Sequence, residues 1–482
     1  MVMNSTPLTE VADQCNGTPI GVPETPLQDV GVSGVCHDSR VVAQGDLFAC
    51  ISGAEHDGHL YASEAIRQGA AALLVERQLD VGVPQLLVPD VRKAVGYAAS
   101  AVYGYPSTKL KVIGVTGTAG KTTVVHALAE TLQATALPAG VLGTLEGTHT
   151  TPEAPDFQKA LSNMHKRGDE WACVEVSSHG LEYGRVEGTE FAAGIFTNLS
   201  AEHLDFHQDM ETYFLAKRRL FEQTNGVAVV GVVDEWGERL ANEIRELGHQ
   251  ELVVVKPNMV ESPVLDVATS SFEWRGHKVR TPLLGSFNMF NLVIVGETLV
   301  SLGIEDEVVA QGLGEVRPVK GRMEPLRVQG SDISVIVDYS HKPEALSVAL
   351  EAVRRFSTGR VWVVFGAGGN RDSTKRPLMG QIASELADEI IVTSDNPRFE
   401  EPSEIAEQIV GGIEGGTARS KVLLDRAEAI HFAVNHAESG DSILIAGKGH
   451  ETYQLIGSEE RPFDDVEVAK EAVQVRVRTS SS

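Results

Sequence analysis

The sequence predicts an α/β protein of three domains, and two observations lead to this class. Short apolar runs such as KLKVIGVT, WACVEVSS and ISVIVDYS alternate with helical segments such as PEALSVALEAVRRF, which is the order of parallel βαβ units. The chain has 482 residues, whereas single cores stop growing at roughly 250–300 residues. We place the domains at 1–107, 108–325 and 326–482, because Pro106 and Ser107 break the pattern at the first boundary and GRMEPLRVQG breaks it at the second.

Each predicted domain has its own pattern. The first reads as a small α/β unit, with strands GDLFACI and AALLVE and the helix YASEAIRQGA between them. The central domain reads as a P-loop ATPase-type parallel or mixed sheet, because its first strand runs into a glycine-rich turn and then a helix. The last domain reads as a doubly wound, Rossmann-like sheet, in which ligands bind at the carboxyl ends of the strands.

The amino-acid composition and net charge indicate which classes of protein this chain can belong to. Hydrophobic residues make up 42% and charged residues 22%, an ordinary globular balance. A net charge of −26 argues against non-specific nucleic-acid binding. The four cysteines form no CxxC pair, the first residues show no signal peptide, and no apolar run approaches the roughly 20 residues that span a bilayer. We therefore expect a cytoplasmic protein with neither nucleic-acid nor membrane partners.

The strongest local motif is TGTAGKT, which lies between a strand and a helix. Backbone N–H groups of such a turn surround phosphate oxygens, and the helix N-terminus adds partial positive charge. Lys121 can reach the β- and γ-phosphates, and Thr122 can offer its hydroxyl to Mg²⁺. Val115 stands where the strict GxxxxGK[ST] pattern has its first glycine, but the shorter TGTxGKT form matches. The motif predicts that ATP or GTP is bound by Thr116, Gly117, Thr118, Ala119, Gly120, Lys121 and Thr122.

Two further polar residues follow neighbouring strands. Glu175 ends the strand WACVEV, and His203 comes after the next strand, so both should lie at the sheet edge that carries the phosphate loop. Together with Thr122 they offer ligands for a divalent cation. Lys217 lies in METYFLAKRRLFEQ, where the pattern alone indicates a solvated lysine on an amphipathic helix.

In motif order, nearly the whole chain resembles the Mur ligase family, specifically its MurE type. TGTAGKTT is similar to the family's TGTNGKTT, with Ala119 in place of Asn, and DYSHKPEAL is similar to DYAHTPDAL, with Ser340 and Lys342 in place of Ala and Thr. The resemblance implies an ATP- and Mg²⁺-dependent ligase of peptidoglycan precursor synthesis. By that resemblance it joins meso-diaminopimelate to UDP-N-acetylmuramoyl-L-Ala-D-Glu through an acyl phosphate, and its partners are these small molecules.

The resemblance also assigns catalytic and nucleotide-binding residues. Lys217 matches a family lysine that is N-carbamylated by CO₂, which replaces a positive charge by a negative one and lets the group help to bind a second Mg²⁺. The implied metal ligands are Thr122, Glu175, His203 and Lys217, and the implied catalytic residues are Lys121, Lys217 and His203. Asn288, Arg322 and Asp338 match positions that contact ATP in relatives.

Substrate residues follow in the same way. DNPR, at Asp395–Arg398, reads alone as a turn, but in the family it marks meso-diaminopimelate. A buried Arg398 without its carboxylate partner would be costly, so it selects for the second carboxylate that lysine lacks. The implied substrate residues are Ser39, Ala54, Glu55 and His56 for the UDP-sugar, Thr150, Thr151, Ser177 and Arg185 for the muramoyl peptide, and Arg371, Asp395, Asn396, Pro397, Arg398, Gly447 and Glu451 for the amino acid.

Four alternatives are disfavoured by the sequence. A lysine- or ornithine-adding relative is disfavoured by DNPR, and a folate polyglutamate ligase should lack the DSR…GxxxDGH segment of the first domain. A P-loop switch without amide synthesis leaves GGNRD, DNPR and GKGHE unexplained. A dinucleotide site is disfavoured because Arg371 replaces the third glycine of GxGxxG in FGAGGNR.

Overall fold

The chain folds into two compact units. The computed structural model describes residues 5–21, 27–53, 56–147, 149–248, 251–266, 269–413 and 418–480. The first unit comprises Met1–Pro257 and Ile294–Gly312, and the second comprises Asn258–Val293 and Leu313–Ser482. The predicted α/β class is confirmed, whereas the domain boundaries at 107 and 325 stay predictions. None of the helices in the described ranges is long and apolar enough to cross a bilayer.

The amino-terminal part of the first unit is a small α/β layer. Its elements are β1 (Thr6–Pro7), α1 (Leu8–Gln14), β2 (Thr18–Ile20), β3 (Gly31–Val32), β4 (Gly34–Cys36), β5 (Asp46–Ala49), α2 (Ala62–Gln68), β6 (Ala72–Val75), β7 (Gln85–Leu87) and α3 (Val91–Val102). Five strands form a sheet in the order β2-β7-β6-β5-β4, parallel except for β2. The predicted strands and helix of this part fall on β5, β6 and α2.

The rest of the first unit is built on a six-stranded sheet. Its elements are β8 (Lys111–Thr116), α4 (Lys121–Ala134), β9 (Ala139–Leu142), α5 (Ala154–Lys166), β10 (Trp171–Glu175), α6 (Ser178–Glu182), β11 (Phe191–Phe196), α7 (Leu204–His207), α8 (Met210–Glu222), β12 (Thr224–Gly231), α9 (Glu235–Leu247) and β13 (Glu251–Val255). The order β13-β12-β11-β8-β10-β9 is parallel throughout, and β8 lies between β10 and β11. The near-continuous apolar sequence of β8 is typical of a strand that is covered on both faces of the sheet. The carboxyl ends of β8, β10 and β11 therefore meet at one edge.

The remaining elements run from residue 258 onward. They are β14 (Glu261–Val264), β15 (Ser270–Trp274), β16 (His277–Thr281), α10 (Ser286–Ser301), α11 (Asp306–Glu315), β17 (Glu324–Pro325), β18 (Ser334–Asp338), α12 (Pro343–Phe356), β19 (Val361–Phe365), α13 (Lys375–Leu386), β20 (Glu389–Val392), α14 (Pro402–Val410), β21 (Arg419–Val422), α15 (Arg426–His436), β22 (Ser442–Ala446), β23 (Tyr453–Ile456), β24 (Glu459–Pro462) and α16 (Asp465–Ser480). The main sheet has the order β17-β18-β22-β19-β20-β21 and is parallel except for β17.

A buried ion pair fixes the loops that leave β20 and β22. The guanidinium of Arg426 lies 2.7 Å from the carboxylate of Asp465, and both side chains are fully buried. Arg426 also donates to the carbonyl oxygens of Ser394 (3.3 Å) and Ala446 (3.0 Å), one at the end of each strand. A charge in the interior is tolerated only when it is paired and hydrogen-bonded. The pair therefore holds together the two loops that carry the predicted amino-acid site.

Candidate active site

The phosphate loop between β8 and α4 is fixed by the chain that follows β11. A Cβ on Gly117, where φ is +145°, would lie 1.9 Å from Thr197 Oγ1, so only glycine fits. The backbone N–H of Thr118 donates to Asn198 O (2.9 Å), and that of Ala119 donates to Asn198 Oδ1 (2.9 Å). Thr197 Oγ1 donates to Ala119 O (2.6 Å). The loop is thus held in shape before any ligand binds.

Lys121 begins α4 and turns back into this loop. Its Nζ donates to the carbonyl oxygens of Gly117 and Thr118, at 2.9 Å each. The N–H groups of the first turn of α4 have no partners within the helix, which makes that end suitable for an anion. A bound phosphate could accept hydrogen bonds from the Lys121 ammonium and from these N–H groups together.

Glu175 and Thr122 meet at the same edge. Glu175 is 1% exposed, and its Oε2 accepts a hydrogen bond from Thr122 Oγ1 at 3.1 Å. Its Oε1 accepts from the backbone N–H of Thr144 (2.9 Å), and the hydroxyl of Thr144 lies 3.0 Å from that of Thr150. A Cβ on Gly143 would lie 2.4 Å from Glu175 Oε1, so the carboxylate fills a space that glycine leaves. Two oxygen donors that Mg²⁺ prefers are therefore brought together as predicted.

His203 lies at the start of α7 in a left-handed conformation, with φ of +56°. Its Nε2 is 3.1 Å from Glu202 Oε1, and its ring packs edge-on against His179 with centroids 4.9 Å apart. Within the described ranges, no three His, Cys, Asp or Glu side chains are close enough to hold a metal ion. Metal ligation by His203 stays a prediction.

Lys217 is buried beneath the phosphate loop. It is 1% exposed, so the solvated surface lysine that the helical pattern indicates is wrong. Its Nζ donates to Gly117 O at 2.7 Å and lies 4.4 Å from the centroid of the Tyr213 ring. The Tyr213 hydroxyl is 3.3 Å from Thr118 Oγ1, and burial, with a smaller effect of Glu202, raises the pKa of Tyr213. Lys217 on α8 thus contacts the phosphate loop through its ammonium.

The residues predicted to hold the muramoyl peptide cluster around the end of β10. Thr151 is fully buried, and its hydroxyl donates to Glu175 O (2.9 Å) and accepts from the N–H of Ser177 (3.0 Å). Arg185 donates to Thr151 O (3.0 Å) and pairs with Glu153 at 2.7 Å. The structure therefore brings Thr151 and Ser177 to the end of β10 and Arg185 to Thr151, and their contacts with substrate stay predictions.

The predicted UDP-sugar residues lie in the amino-terminal layer. Ser39 is largely buried, and its hydroxyl donates to Glu64 Oε2 at 3.1 Å. His56 is exposed. The predictions for Ala54 and Glu55 fall outside the described residues.

In the second unit, the predicted ATP-contacting residue Asn288 is hydrogen-bonded within the chain, partly to the neighbouring Asn291. Asn288 Nδ2 donates to Leu284 O (2.7 Å), and Asn288 Oδ1 accepts from Asn291 Nδ2 (3.3 Å). Both amides therefore serve the first turns of α10, which is the helix-terminus role that asparagine often has. The contact of Asn288 with ATP stays a prediction.

Asp338 ends β18 and organises the chain around it. Its Oδ1 accepts from the N–H of Met323 (2.6 Å), and its Oδ2 accepts from the backbone N–H and the hydroxyl of Ser340. The Arg322 guanidinium stacks on the ring of Tyr339, 4.5 Å from the centroid. Ser340, which replaces the family's alanine, thus adds a donor to a predicted nucleotide-binding carboxylate.

Two half-buried histidines of this unit have lowered pKa values. Burial, reinforced by Lys342 and Lys375, lowers the pKa of His341 to about 4, although its Nδ1 lies 2.8 Å from Tyr339 O, which acts in the opposite direction. Burial also lowers the pKa of His450 to about 4, and Arg322 and Lys320 reinforce it.

We expect the unfolding free energy to fall as the pH is lowered from 6.5 to 4. In that range the unfolded chain binds protons at these two histidines and the folded chain does not, so acid favours unfolding. Urea titrations at several pH values should show a weaker pH dependence for the double variant His341→Asn/His450→Asn than for the original chain. Equal pH dependence in both proteins would contradict this account.

DNPR follows β20 and meets the loop after β22. Asn396 Nδ2 donates to Glu451 Oε2 (2.9 Å), and Asn396 Oδ1 accepts from the N–H of Leu455 (2.9 Å). Arg398 is half-buried with φ of +53°, and its Nη1 donates to Gly369 O (2.8 Å). The other N–H groups of its guanidinium can face a ligand.

The rest of the predicted amino-acid site adjoins this pair. Asp395 is 8% exposed, and within the described residues its Oδ2 has no hydrogen-bond partner. A Cβ on Gly447 would lie 2.6 Å from that oxygen, so the glycine leaves the space that the carboxylate occupies. A Cβ on Gly369 would lie 1.9 Å from Pro397 O. Close packing of two loops therefore explains the second glycine of the GG pair in FGAGGNR. Arg371 is exposed.

Two residues, one in each unit, escaped the sequence predictions. Lys448 is fully buried, and its Nζ donates to Asn396 Oδ1 (3.0 Å) and Glu451 Oε2 (2.9 Å). The available signal was a lysine between two glycines at the end of an apolar strand. Asn198 shapes the phosphate loop through both its backbone and its side chain, and its position after β11 was the signal.

Family models and known relatives match most of the length of the chain. Three family models match: the Mur ligase family, catalytic domain, over residues 31–109; the Mur ligase middle domain over 115–298; and the Mur ligase, glutamate ligase domain over 321–449. The UDP-N-acetylmuramoyl-L-alanyl-D-glutamate–2,6-diaminopimelate ligase of Gloeobacter violaceus is 43% identical over 475 residues, with 93% of this chain and 95% of that protein covered. The ligase of the same name from Alkalilimnicola ehrlichii is 41% identical, with 93% and 96% covered. A solved structure of a ligase of that name superimposes with a TM-score of 0.72 at 30% identity, covering 98% of this chain and 99% of that one.

Proposed function

The chain belongs to the Mur ligase family, and on that premise we propose that it is an ATP-dependent ligase that joins meso-diaminopimelate to UDP-N-acetylmuramoyl-L-alanyl-D-glutamate in peptidoglycan precursor synthesis. One observation carries the proposal. At one sheet edge lie the phosphate loop, the Thr122–Glu175 pair and the buried Lys217. The chain that carries them is 43% identical to a ligase of this name. Its substrates are small molecules, namely ATP, the UDP-linked dipeptide and meso-diaminopimelate, and we place the reaction in the cytoplasm.

The first step is phosphoryl transfer. The side-chain carboxylate of the terminal D-Glu attacks the γ-phosphorus of ATP, the bond to the β-phosphate oxygen breaks, and an acyl phosphate and ADP result. Lys121 exchanges its contacts with Gly117 and Thr118 for phosphate oxygens, and so neutralises charge as it develops. Because the loop is already fixed by Thr197 and Asn198, little reorganisation accompanies the step.

The residues of this edge fit Mg²⁺. Thr122 and Glu175 would hold the ion through hydroxyl and carboxylate oxygens, with His203 as the predicted further ligand, and the ion would supply charge neutralisation for the phosphates. A bare ammonium at Lys217 would repel such a cation. The Lys217 amine can instead add to the carbon of CO₂ with loss of a proton, which yields a carbamate whose oxygens suit a second ion.

The second step forms the amide. The amine of meso-diaminopimelate attacks the acyl carbon, phosphate leaves with the C–O bond electrons, and the amine loses a proton. At the far end of the amino acid, Arg398 pairs with the second carboxylate and Glu451 accepts from the ammonium. The reacting amine is thereby held at a fixed distance from these two groups.

Arg398→Lys is expected to lower kcat/KM for meso-diaminopimelate by about tenfold to a hundredfold, because lysine cannot donate two parallel hydrogen bonds to a carboxylate. The KM values for ATP and the UDP-linked substrate should change little. Steady-state phosphate release measures all three constants. Arg461→Lys, at an exposed arginine paired with Glu459, is the matched control and should behave as the original chain does. An unchanged kcat/KM in Arg398→Lys would remove that residue from the site.

Phosphate release with ATP, Mg²⁺ and the UDP-linked dipeptide tests the proposed function. Four reactions are compared, containing meso-diaminopimelate, L-lysine, L-ornithine or no amino acid. Release that depends on meso-diaminopimelate supports the proposal. Release with lysine alone would retain the ligase and overturn the role of Arg398, and release without any amino-acid dependence would overturn the ligase.

A further inference from the structure

Lys448 is a charged side chain with no exposure to solvent. Its loop follows β22, and its ammonium lies 2.9 Å from Glu451 Oε2. Burying an ammonium is destabilising unless pairing and hydrogen bonds compensate. Structural stability alone is better served by an apolar residue of similar volume, so a function for the charge should be sought.

The lysine fixes the orientation of a neighbouring amide. Its Nζ and the backbone N–H of Leu455 both donate to Asn396 Oδ1, at 3.0 Å and 2.9 Å. Because two donors point at that oxygen, the amide nitrogen must face the other way, where it donates to Glu451 Oε2 (2.9 Å). Lys448, Asn396 and Glu451 thus form a closed triangle of hydrogen bonds.

The triangle also orients the carboxylate of Glu451. Lys448 and Asn396 both donate to Oε2, so Oε1 is the oxygen that can accept from a ligand. Arg426 is a second cation near Glu451, but its guanidinium is committed to Asp465 at 2.7 Å. The charge that acts on Glu451 through a direct contact is therefore that of Lys448.

The charge of Lys448 bears on the choice of amino acid. The far end of meso-diaminopimelate carries an ammonium and a carboxylate, whereas the far end of lysine carries an ammonium alone. Loss of one positive charge beside Glu451 strengthens the attraction for a purely cationic end and weakens the attraction for a carboxylate. A neutral residue at this position should therefore favour lysine relative to meso-diaminopimelate.

We propose that Lys448 is a positioning and specificity-determining residue, which orients Asn396 and Glu451 and disfavours amino acids whose far end is only cationic. The proposal rests on the proposed function, since it assigns a role within the same amino-acid site. It gives the GKGHE segment a function beyond the two residues that the family resemblance assigns.

Lys448→Met tests the proposal through a ratio of rates. The ratio of kcat/KM for meso-diaminopimelate to kcat/KM for L-lysine should fall by at least about tenfold, as expected for one charge at close range in a partly buried site. The KM for meso-diaminopimelate should rise, while the KM values for ATP and the UDP-linked dipeptide stay within about twofold. Lys470→Met, at an exposed lysine on α16, is the matched control and should leave every constant unchanged.

A second variant separates charge from hydrogen bonding. Lys448→Gln keeps a donor for the triangle and removes the charge, so it should lower the ratio as Lys448→Met does. It also replaces Lys448→Met if circular dichroism shows that the latter does not fold. Lys448→Arg keeps the charge and should retain a ratio within about threefold of the original chain.

The outcomes distinguish failure of the proposed function from failure of the role assigned to Lys448. If the original chain shows no amino-acid dependence, the proposed function fails before Lys448 is tested. If the original chain uses meso-diaminopimelate and the neutral variants lose activity equally with both amino acids, Lys448 is only structural and the proposal is overturned. An unchanged ratio with unchanged activity overturns it as well.

Discussion

Lys121→Met should lower the rate of phosphate release by about a hundredfold to a thousandfold, because the ammonium that meets the developing charge on the phosphates is removed. Lys121 begins α4 and already points into the loop, with its Nζ 2.9 Å from two carbonyl oxygens. The substitution also removes the two hydrogen bonds that Nζ donates to the loop, but Thr197 and Asn198 still hold the loop backbone. The variant should therefore fold normally.

The measurement is single-turnover formation of ADP at saturating substrates, together with calorimetric binding of ADP. Lys109→Met, at an exposed lysine just before β8, is the control for loss of a positive charge from this region. Lys121→Met activity above about a tenth of the original would show that the loop backbone and the metal suffice, and would end the role assigned to this ammonium.

Lys217→Ala should lower activity by a similar factor, about a hundredfold or more, because it removes the group that we expect to carry the carbamate. Lys217 is 1% exposed and lies against Gly117 O and the Tyr213 ring, so the truncated side chain leaves a space beneath the loop. Short carboxylic acids such as formate or acetate should enter that space and restore part of the activity. Bicarbonate should not, since alanine has no amine to carbamylate.

Isotope-labelled bicarbonate gives an independent readout. In the original chain a labelled carbamate should appear by NMR, and it should be absent from Lys217→Ala. Lys166→Ala, on α5, serves as the matched control because its side chain is exposed. Full activity of Lys217→Ala without added acid would overturn the carbamate, and so would the lack of a labelled signal in an active original chain.

The sequence was most informative where the chemistry is local. The phosphate loop depends on a strand, a few glycines and the first residues of a helix, all contiguous in sequence, and the structure has them in that arrangement. The alternation of strands and helices likewise predicted both main sheets, because parallel strands need helical crossovers.

Burial of single polar residues was the least predictable feature. The helical pattern around Lys217 indicates a solvated lysine, and only the approach of α8 to Gly117, a hundred residues away in sequence, shows otherwise. Lys448 was missed for the same reason, since its partner Asn396 lies 52 residues earlier. Spacing in the sequence carries no information about such contacts. For Lys217 the resemblance to a family supplied what the residue pattern lacked, and for Lys448 it did not.

Amide formation through an acyl phosphate can be followed by isotope transfer from the attacking carboxylate. The D-Glu side-chain carboxylate of the UDP-linked dipeptide is labelled with a heavy oxygen isotope, and the reaction is run with ATP, Mg²⁺ and meso-diaminopimelate. The account predicts one labelled oxygen in each released phosphate and a product whose mass corresponds to the added amino acid. Amide product accompanied by unlabelled phosphate would contradict the acyl phosphate, and labelled phosphate without amide would contradict the ligase.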